Sequence, residues 1–224
     1  MGAILWEAWN LYRKHFVALA TIMLVVWVPC EIFSNWMEFK VFGPDDFQHA
    51  WQLERFLNAF VGIIALSGIY YYLNEASCQG TASVGQAFGA GFSYWGQMFA
   101  TRLLVGIGLF LGFLLLILPG VYLMVRWTFC ELLVITEGAA AMDAVRRSME
   151  LTKGKFWRIL GYLVVGSLPV VFVILAIGIV DTEVDALDNW PATAVGDSLM
   201  DLASIFLYTL IRAIYMRLIA EEAA

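Results

Sequence analysis

Of the 224 residues, 62% are apolar even with glycine left out, only 14% are charged, and the mean hydropathy is +0.79, whereas soluble domains run near about 45–50% apolar with glycine included and about 25% charged. This balance predicts an all-α integral membrane protein and excludes a disordered chain, and the formal charge of -6 excludes a basic nucleic-acid surface. Cys30, Cys78 and Cys130 are scattered, with no C-x-x-C pair and no closely spaced histidine, so neither a disulfide framework nor a metal site is implied.

A helix needs about 20 mostly apolar residues to cross a hydrocarbon core of about 30 Å. The first candidate runs from Phe16 to Phe33. Before it, Leu5, Ala8, Trp9, Tyr12 and Phe16 form one apolar stripe opposite Glu7, Asn10, Arg13 and Lys14, which predicts an amphipathic helix in the membrane interface. The second span is expected from Phe56 to Leu73, and Val84, Ala87, Phe88, Gly91 and Trp95 then repeat the interfacial stripe. The third and fourth spans, Met98 to Leu118 and Val121 to Thr136, run together without a charge from Leu103 to Val125, separated only by Pro119 and Gly120. That pair reads as the turn of a hairpin, because proline breaks the helical ladder and glycine permits the reversal; one continuous helix over this stretch would reach about 58 Å, nearly twice the core. Gly108 and Gly112 form a G-x-x-x-G motif in the third span, suited to close helix approach either within the chain or in an oligomer. A third amphipathic stretch sets Met142, Val145 and Met149 against Asp143, Arg146, Arg147, Glu150 and Lys153, with Asp143–Arg147 and Arg146–Glu150 at i,i+4 spacing. The fifth and sixth spans are Ile159 to Val180 and Leu199 to Ile219. The expected architecture is a single membrane domain of six transmembrane helices in three hairpins, each preceded by a cytoplasmic interfacial helix.

Basic residues set the direction. Arg13 and Lys14, the group Arg146, Arg147, Lys153, Lys155 and Arg158, and Arg217 fall on one side; Glu38, Asp45, Asp46 and Glu54, around Lys40 and Arg55, and then Asp181, Glu183, Asp185, Asp188 and Asp197 fall on the other. Both ends are therefore expected in the cytoplasm. Trp6, Trp9, Trp95 and Trp157 are expected at the cytoplasmic boundary and Trp36, Trp51 and Trp190 at the outer one. A cleaved signal peptide is disfavoured, since no A-x-A site follows the run Phe16 to Val28 and Pro29 precedes Cys30.

Pro119-Gly120-Val121-Tyr122-Leu123, Arg126, Glu137-Gly138, Ala144, Arg147-Ser148, Glu150 to Gly154 and Phe156-Trp157-Arg158 resemble the signature stretch of the YciC-like six-helix bacterial membrane proteins. That family is related to the membrane domain fused to some glycerophosphodiester phosphodiesterases. The resemblance covers roughly residues 117 to 160; it implies a bacterial inner-membrane location and six helices, and carries no phosphodiesterase activity, which belongs to a separate soluble domain.

Ionisable residues at membrane depth are costly and mark either a functional pathway or structural pairing. Arg126, Glu131 and Arg212 lie at such depth; Glu131 and Arg212 are expected to meet, and Glu31 or Asp201 to answer Arg126. The acidic run Asp181, Glu183 and Asp185 imitates the start of an EF-hand loop, but Ala186 and Ala192 replace its glycine and its bidentate glutamate. His15 and His49 stand alone, and no nucleophile motif, phosphate-binding loop or metal-binding histidine pair occurs. The expected function is therefore non-enzymatic and without a cofactor: a membrane module that assembles with itself, with other membrane proteins or with anionic lipids, whose head groups Arg146, Arg147, Lys153, Lys155 and Arg158 would hold. The alternative is a small-solute, lipid or ion transporter or channel, for which discontinuous spans with polar residues converging at the midplane would be the distinguishing feature.

Overall fold

The computed structural model describes residues 2–37, 40–41, 52–53, 56–57, 59–78, 80, 82–184 and 190–223, with side chains described outside 178–184 and 190–194. The expected EF-hand-like run, the outer-boundary Trp51 and Trp190, His49, and Glu38, Asp45, Asp46, Glu54 and Arg55 lie outside the described residues or side chains. The elements in chain order are helices α1 (Gly2–Met37), α2 (Gly62–Cys78), α3 (Val84–Ser93), α4 (Trp95–Leu115), α5 (Ile117–Arg126), α6 (Cys130–Glu137), α7 (Ala141–Leu151), α8 (Phe156–Val184) and α9 (Trp190–Glu222). Among the described residues, 5 helical stretches are long and apolar enough to cross a membrane: Gly2–Met37, Trp95–Leu115, Ile117–Glu137, Phe156–Ile177 and Val195–Glu222. The remaining expected span corresponds to α2, which has 17 residues and begins at Gly62 instead of Phe56.

The first interfacial stripe is not a separate helix. It forms the opening turns of α1, which runs unbroken for 36 residues, about 54 Å. Nothing between Tyr12 and Val17 caps or breaks a helix, so the amphipathic segment and the apolar one fuse into a single rod.

The second stripe differs more. A Cβ on Gly68 would stand 3.1 Å from the Ala87 carbonyl oxygen, a Cβ on Gly91 only 2.7 Å from that of Ile64, and the Trp95 indole N–H donates to the Phe60 carbonyl (2.7 Å). Along this series one residue number rises as its partner's falls by equal steps, so α3 packs antiparallel along α2. Small residues create the contact: Gly68 on α2 and the buried Ala87, Ala90 and Gly91 on α3 bring the two backbones together. Trp95 is thereby carried to the Phe60 end of α2, about 27 Å along that helix from Cys78.

α4 and α5 pack antiparallel, with the chain reversing ahead of the expected Pro119–Gly120 turn. The reversal falls on Leu116, whose backbone is extended (φ -168, ψ 157). Pro119 and Gly120 lie in the first turn of α5, where a missing N–H removes no helical bond. Gly120 instead serves packing: a Cβ on Gly112 would stand 3.2 Å from the Gly120 Cα, and Gly108 receives the benzo edge of Trp127. The G-x-x-x-G motif thus packs within the chain.

α8 and α9 are antiparallel, joined at successive levels by Arg158 with Glu221, Gly166 with Leu210, and Ile177 with Gly196. α1 runs antiparallel to α9, with Tyr12 stacked edge-on to Phe206 and the Asn35 side-chain amide donating to Asp197. The Gly2 end of α1 and the Glu222 end of α9 therefore lie at the same end of the bundle. One core cluster gathers Phe129, Leu132, Leu133, Ile159, Leu210 and Ile214; a second gathers Leu19, Ile22, Ile69, Leu73 and Ile205. Outside these, Leu103, Phe110, Leu114 to Leu118, Leu168 and Phe172 are exposed, Leu118 to 81%, a contiguous apolar surface of the kind a lipid bilayer covers.

The α2–α3 contact yields a paired test. Gly91→Ala drives a methyl into the Ile64 backbone and is expected to destabilise by about 1–3 kcal/mol, the usual cost of overpacking. Gly89→Ala, on the same helix but facing open space, is expected to be neutral or stabilising by up to about 1 kcal/mol. Thermal unfolding in one detergent compares them, and equal shifts would contradict the packing.

Candidate polar core and lateral cleft

The residues from Arg126 to Cys130 interrupt the helix. The Cys130 N–H bonds to the Trp127 carbonyl (3.1 Å), so the Arg126 carbonyl loses its helical donor, and the Phe129 N–H also leaves the ladder. Both groups are served from α7: the Ser148 hydroxyl donates to the Arg126 carbonyl (2.7 Å) and accepts from the Phe129 N–H (3.3 Å). Thr152 contributes a longer bond to the same carbonyl (3.5 Å) and donates to the Ser148 carbonyl (2.8 Å). α7 accordingly turns Ala144, Ser148 and Leu151 inward, while Met142 and Met149 are exposed.

Beside the break, the Arg102 Nε–H donates to Glu131 (2.8 Å), and both side chains are about three-quarters removed from the surface. This corrects the expected pairing of Glu131 with Arg212. Arg102 is the ionisable residue inside the predicted third span, a signal sufficient to single it out, and α4 delivers it opposite Glu131. Arg212, 1% exposed, instead donates to Asn74 (2.9 Å), approaches the Cys78 sulfur (3.7 Å), and lies 5.5 Å over the Tyr215 ring. Its Nε and Nη1 are buried without a hydrogen-bond partner among the described residues. Arg126 is buried with its guanidinium 5.8 Å over Tyr122, not beside Asp201. Asp201 lines a small cavity of about 80 Å³ together with Arg102 and Tyr208. His15 is bonded to the Tyr72 hydroxyl (3.2 Å), a half-buried structural contact.

A larger cleft of about 420 Å³ opens between α4, α5, α8 and α9. Its walls are mostly apolar, with Leu109, Leu160 and Leu207 among them, and its polar lining residues include Glu131, Tyr70, Tyr208, Thr128 and Ser167.

The basic cluster is largely paired inside the chain. Arg147 makes two bonds to Glu222 (2.9 and 2.6 Å) and approaches Glu137 (3.8 Å) and Glu150 (3.7 Å). The Glu222 carboxylate holds the Arg147 guanidinium above its ordinary pKa. Lys155 (3.2 Å) and Arg158 (2.7 Å) share Glu221. These contacts replace the expected i,i+4 partner of Arg147. Arg146 and Lys153 remain exposed. Among the described residues, no group of three or more His, Cys, Asp or Glu is placed to hold a metal ion.

The helices and this inward-facing polar core define an all-helical protein with an apolar surface suited to a membrane. The chain belongs to the family described as Domain of unknown function (DUF7847), whose model matches residues 50–220. No curated protein and no solved structure matches the chain.

Two outcomes are expected from this geometry. Ser148→Ala leaves the buried Phe129 N–H unpaired and the Arg126 carbonyl with only the long Thr152 bond, and should lower stability by about 1–3 kcal/mol; an unchanged unfolding temperature would mean the bridge is not made. Arg102→Met and Glu131→Leu should each destabilise more than the double variant, because a lone charge is worse than none. Additive effects in the double-mutant cycle would separate the two side chains.

Proposed function

We propose that the protein is a non-enzymatic, multi-pass module of a bacterial inner membrane that associates with lipids and assembles with further copies or other membrane proteins. The observation that carries this reading is the division of surfaces: large apolar side chains cover α4, α5 and α8 on the outside, while Arg102, Arg126, Glu131 and Arg212 are turned inward onto partners or rings. The resemblance of residues 117 to 160 to the YciC-like proteins supports the same location. Six crossings, with α2 the shortest and both ends cytoplasmic, agree with the basic residues gathered at Arg13 to Lys14, Arg146 to Arg158 and Arg217. Arg146 and Lys153 are the exposed pair available to anionic head groups, each adding about 1 kcal/mol near a charged surface.

Native mass spectrometry of protein extracted from phosphatidylglycerol-containing membranes tests this. Arg146→Gln with Lys153→Gln is expected to lower retained anionic lipid about tenfold or more, from two contacts of that size, whereas Arg147→Gln with Arg158→Gln is expected to lower thermal stability by detaching α7 and α8 from α9. Unchanged phosphatidylglycerol in the first variant would reject the head-group role.

A transporter or channel is the second reading, favoured by the interrupted α5–α6 segment beside the Arg102–Glu131 pair and the Asp201 cavity. It expects an ion flux in proteoliposomes that Glu131→Gln reduces; a flux equal to that of empty vesicles rejects it.

A further inference from the structure

Glu221 and Glu222 close the last turn of α9, where the helix dipole presents its negative end and a carboxylate is disfavoured. Positive charge drawn from around them holds them there. Glu222 takes Arg147 of α7 in a two-point contact (2.9 and 2.6 Å). Glu221 takes Lys155 (3.2 Å) and Arg158 (2.7 Å) at the entry to α8, and Arg217 one turn back on α9 (3.5 Å). Glu137 and Glu150 also approach Arg147, so four cations face four carboxylates and the patch is neutral. Without the two α9 carboxylates it carries two uncompensated positive charges.

The patch lies at head-group level and is open to it. Trp157, between Lys155 and Arg158, is 79% exposed, the placement of an interfacial anchor, and the apolar stretches of α8 and α9 start and finish there. The side chains of Lys155, Arg158 and Glu221 each keep about a third of their surface, so a phosphate reaches the cations without the fold coming apart. An exposed ion pair contributes at most about fivefold to an equilibrium, and each basic residue near an anionic membrane contributes about the same to association. Phosphate oxygens also match the arginine fork as carboxylate oxygens do. The two α9 carboxylates and lipid phosphates therefore compete for the same cations on nearly equal terms, and a leaflet rich in anionic lipid prevails by number.

We propose that Glu221 and Glu222 are an internal counter-anion: they mask Arg147, Lys155 and Arg158 when the surrounding leaflet is neutral, and yield them to phospholipid phosphates when it is anionic. This rests on the membrane-module reading and adds a switch to it, with Arg146 and Lys153 as the uncovered pair that meets the head groups first.

The test is carboxyl footprinting of the full wild-type chain with a water-soluble carbodiimide and glycine ethyl ester, in nanodiscs of phosphatidylcholine and in nanodiscs with equal parts of phosphatidylglycerol. Labelling of Glu221 and Glu222, relative to the exposed Glu7, is expected to rise about fivefold in the anionic discs, the weight of one displaced contact. Glu221→Gln with Glu222→Gln should raise the affinity for phosphatidylglycerol titrated into detergent about tenfold or more, from the two charges laid bare, as read by native mass spectrometry. Adding Lys155→Gln and Arg158→Gln should return it to the wild-type value. Labelling that stays the same in both discs would overturn the proposal whatever the variants do. An equal rise on adding inorganic phosphate to the phosphatidylcholine discs would overturn it as well, since the competitor would then be free phosphate and not the membrane. If wild type binds phosphatidylglycerol while its labelling is unchanged, the masking alone is removed and the head-group role of Arg146 and Lys153 stands. If neither wild type nor the glutamine variant binds phosphatidylglycerol, the head-group role falls with it.

Discussion

One hydroxyl closes the gap in this fold. In a low-dielectric interior each unpaired backbone group costs several kcal/mol, and the helix interruption between Arg126 and Cys130 produces two such groups. Ser148 satisfies both at once, as donor to a carbonyl and acceptor from an N–H. Because that bridge works only with α7 pressed against the break, it dictates where α7 lies. The position of α7 in turn sets Arg147 beside Glu222 and starts α8 where Lys155 and Arg158 meet Glu221. The last third of the chain is thus tied to the middle by a polar contact in an otherwise apolar setting.

The same rule governs the buried guanidinium groups, each of which finds a different answer. Arg102 takes a carboxylate, Arg212 takes an amide oxygen and the face of Tyr215, and Arg126 takes the face of Tyr122. Only the first is a full ion pair, and it lies where the large cleft and the small Asp201 cavity come closest, since Arg102 and Tyr208 line the small one and Glu131 and Tyr208 the large. Charge is therefore concentrated around two voids, and the outer faces of α4, α5 and α8 are left to leucine, isoleucine and phenylalanine. That separation is the physical basis for reading the molecule as a lipid-embedded module.

Hydropathy made the apolar helices legible, because about 20 apolar residues leave little choice of environment. It located α4 and α8 to within a few residues, whereas α1 and α9 begin well before the expected Phe16 and Leu199. Pro119 is as much at home in the first turn of a helix as in a reversal, and only the extended Leu116 backbone distinguishes the two. An amphipathic stripe suits a membrane surface, yet a stripe of alanine and glycine, as in Ala87, Ala90 and Gly91, serves a neighbouring helix equally well. At the polar core, depth alone singled out Arg126, Glu131 and Arg212 but could not pair them, since partners on different helices depend on how those helices face each other. Ser148 carried no signal of its own: a serine among arginines on an amphipathic helix reads as solvent-facing until the broken helix beneath it is known.

Hydrogen exchange at the interruption tests this account most directly. In wild-type protein held in nanodiscs, the amides of Phe129 and Cys130 should exchange as slowly as those of Leu133 and Val134 within α6, because the former are held by Ser148 and by the Trp127 carbonyl. Rapid exchange at Phe129 and Cys130, against slow exchange at Leu133, would mean that the break is open and that α7 does not seal it.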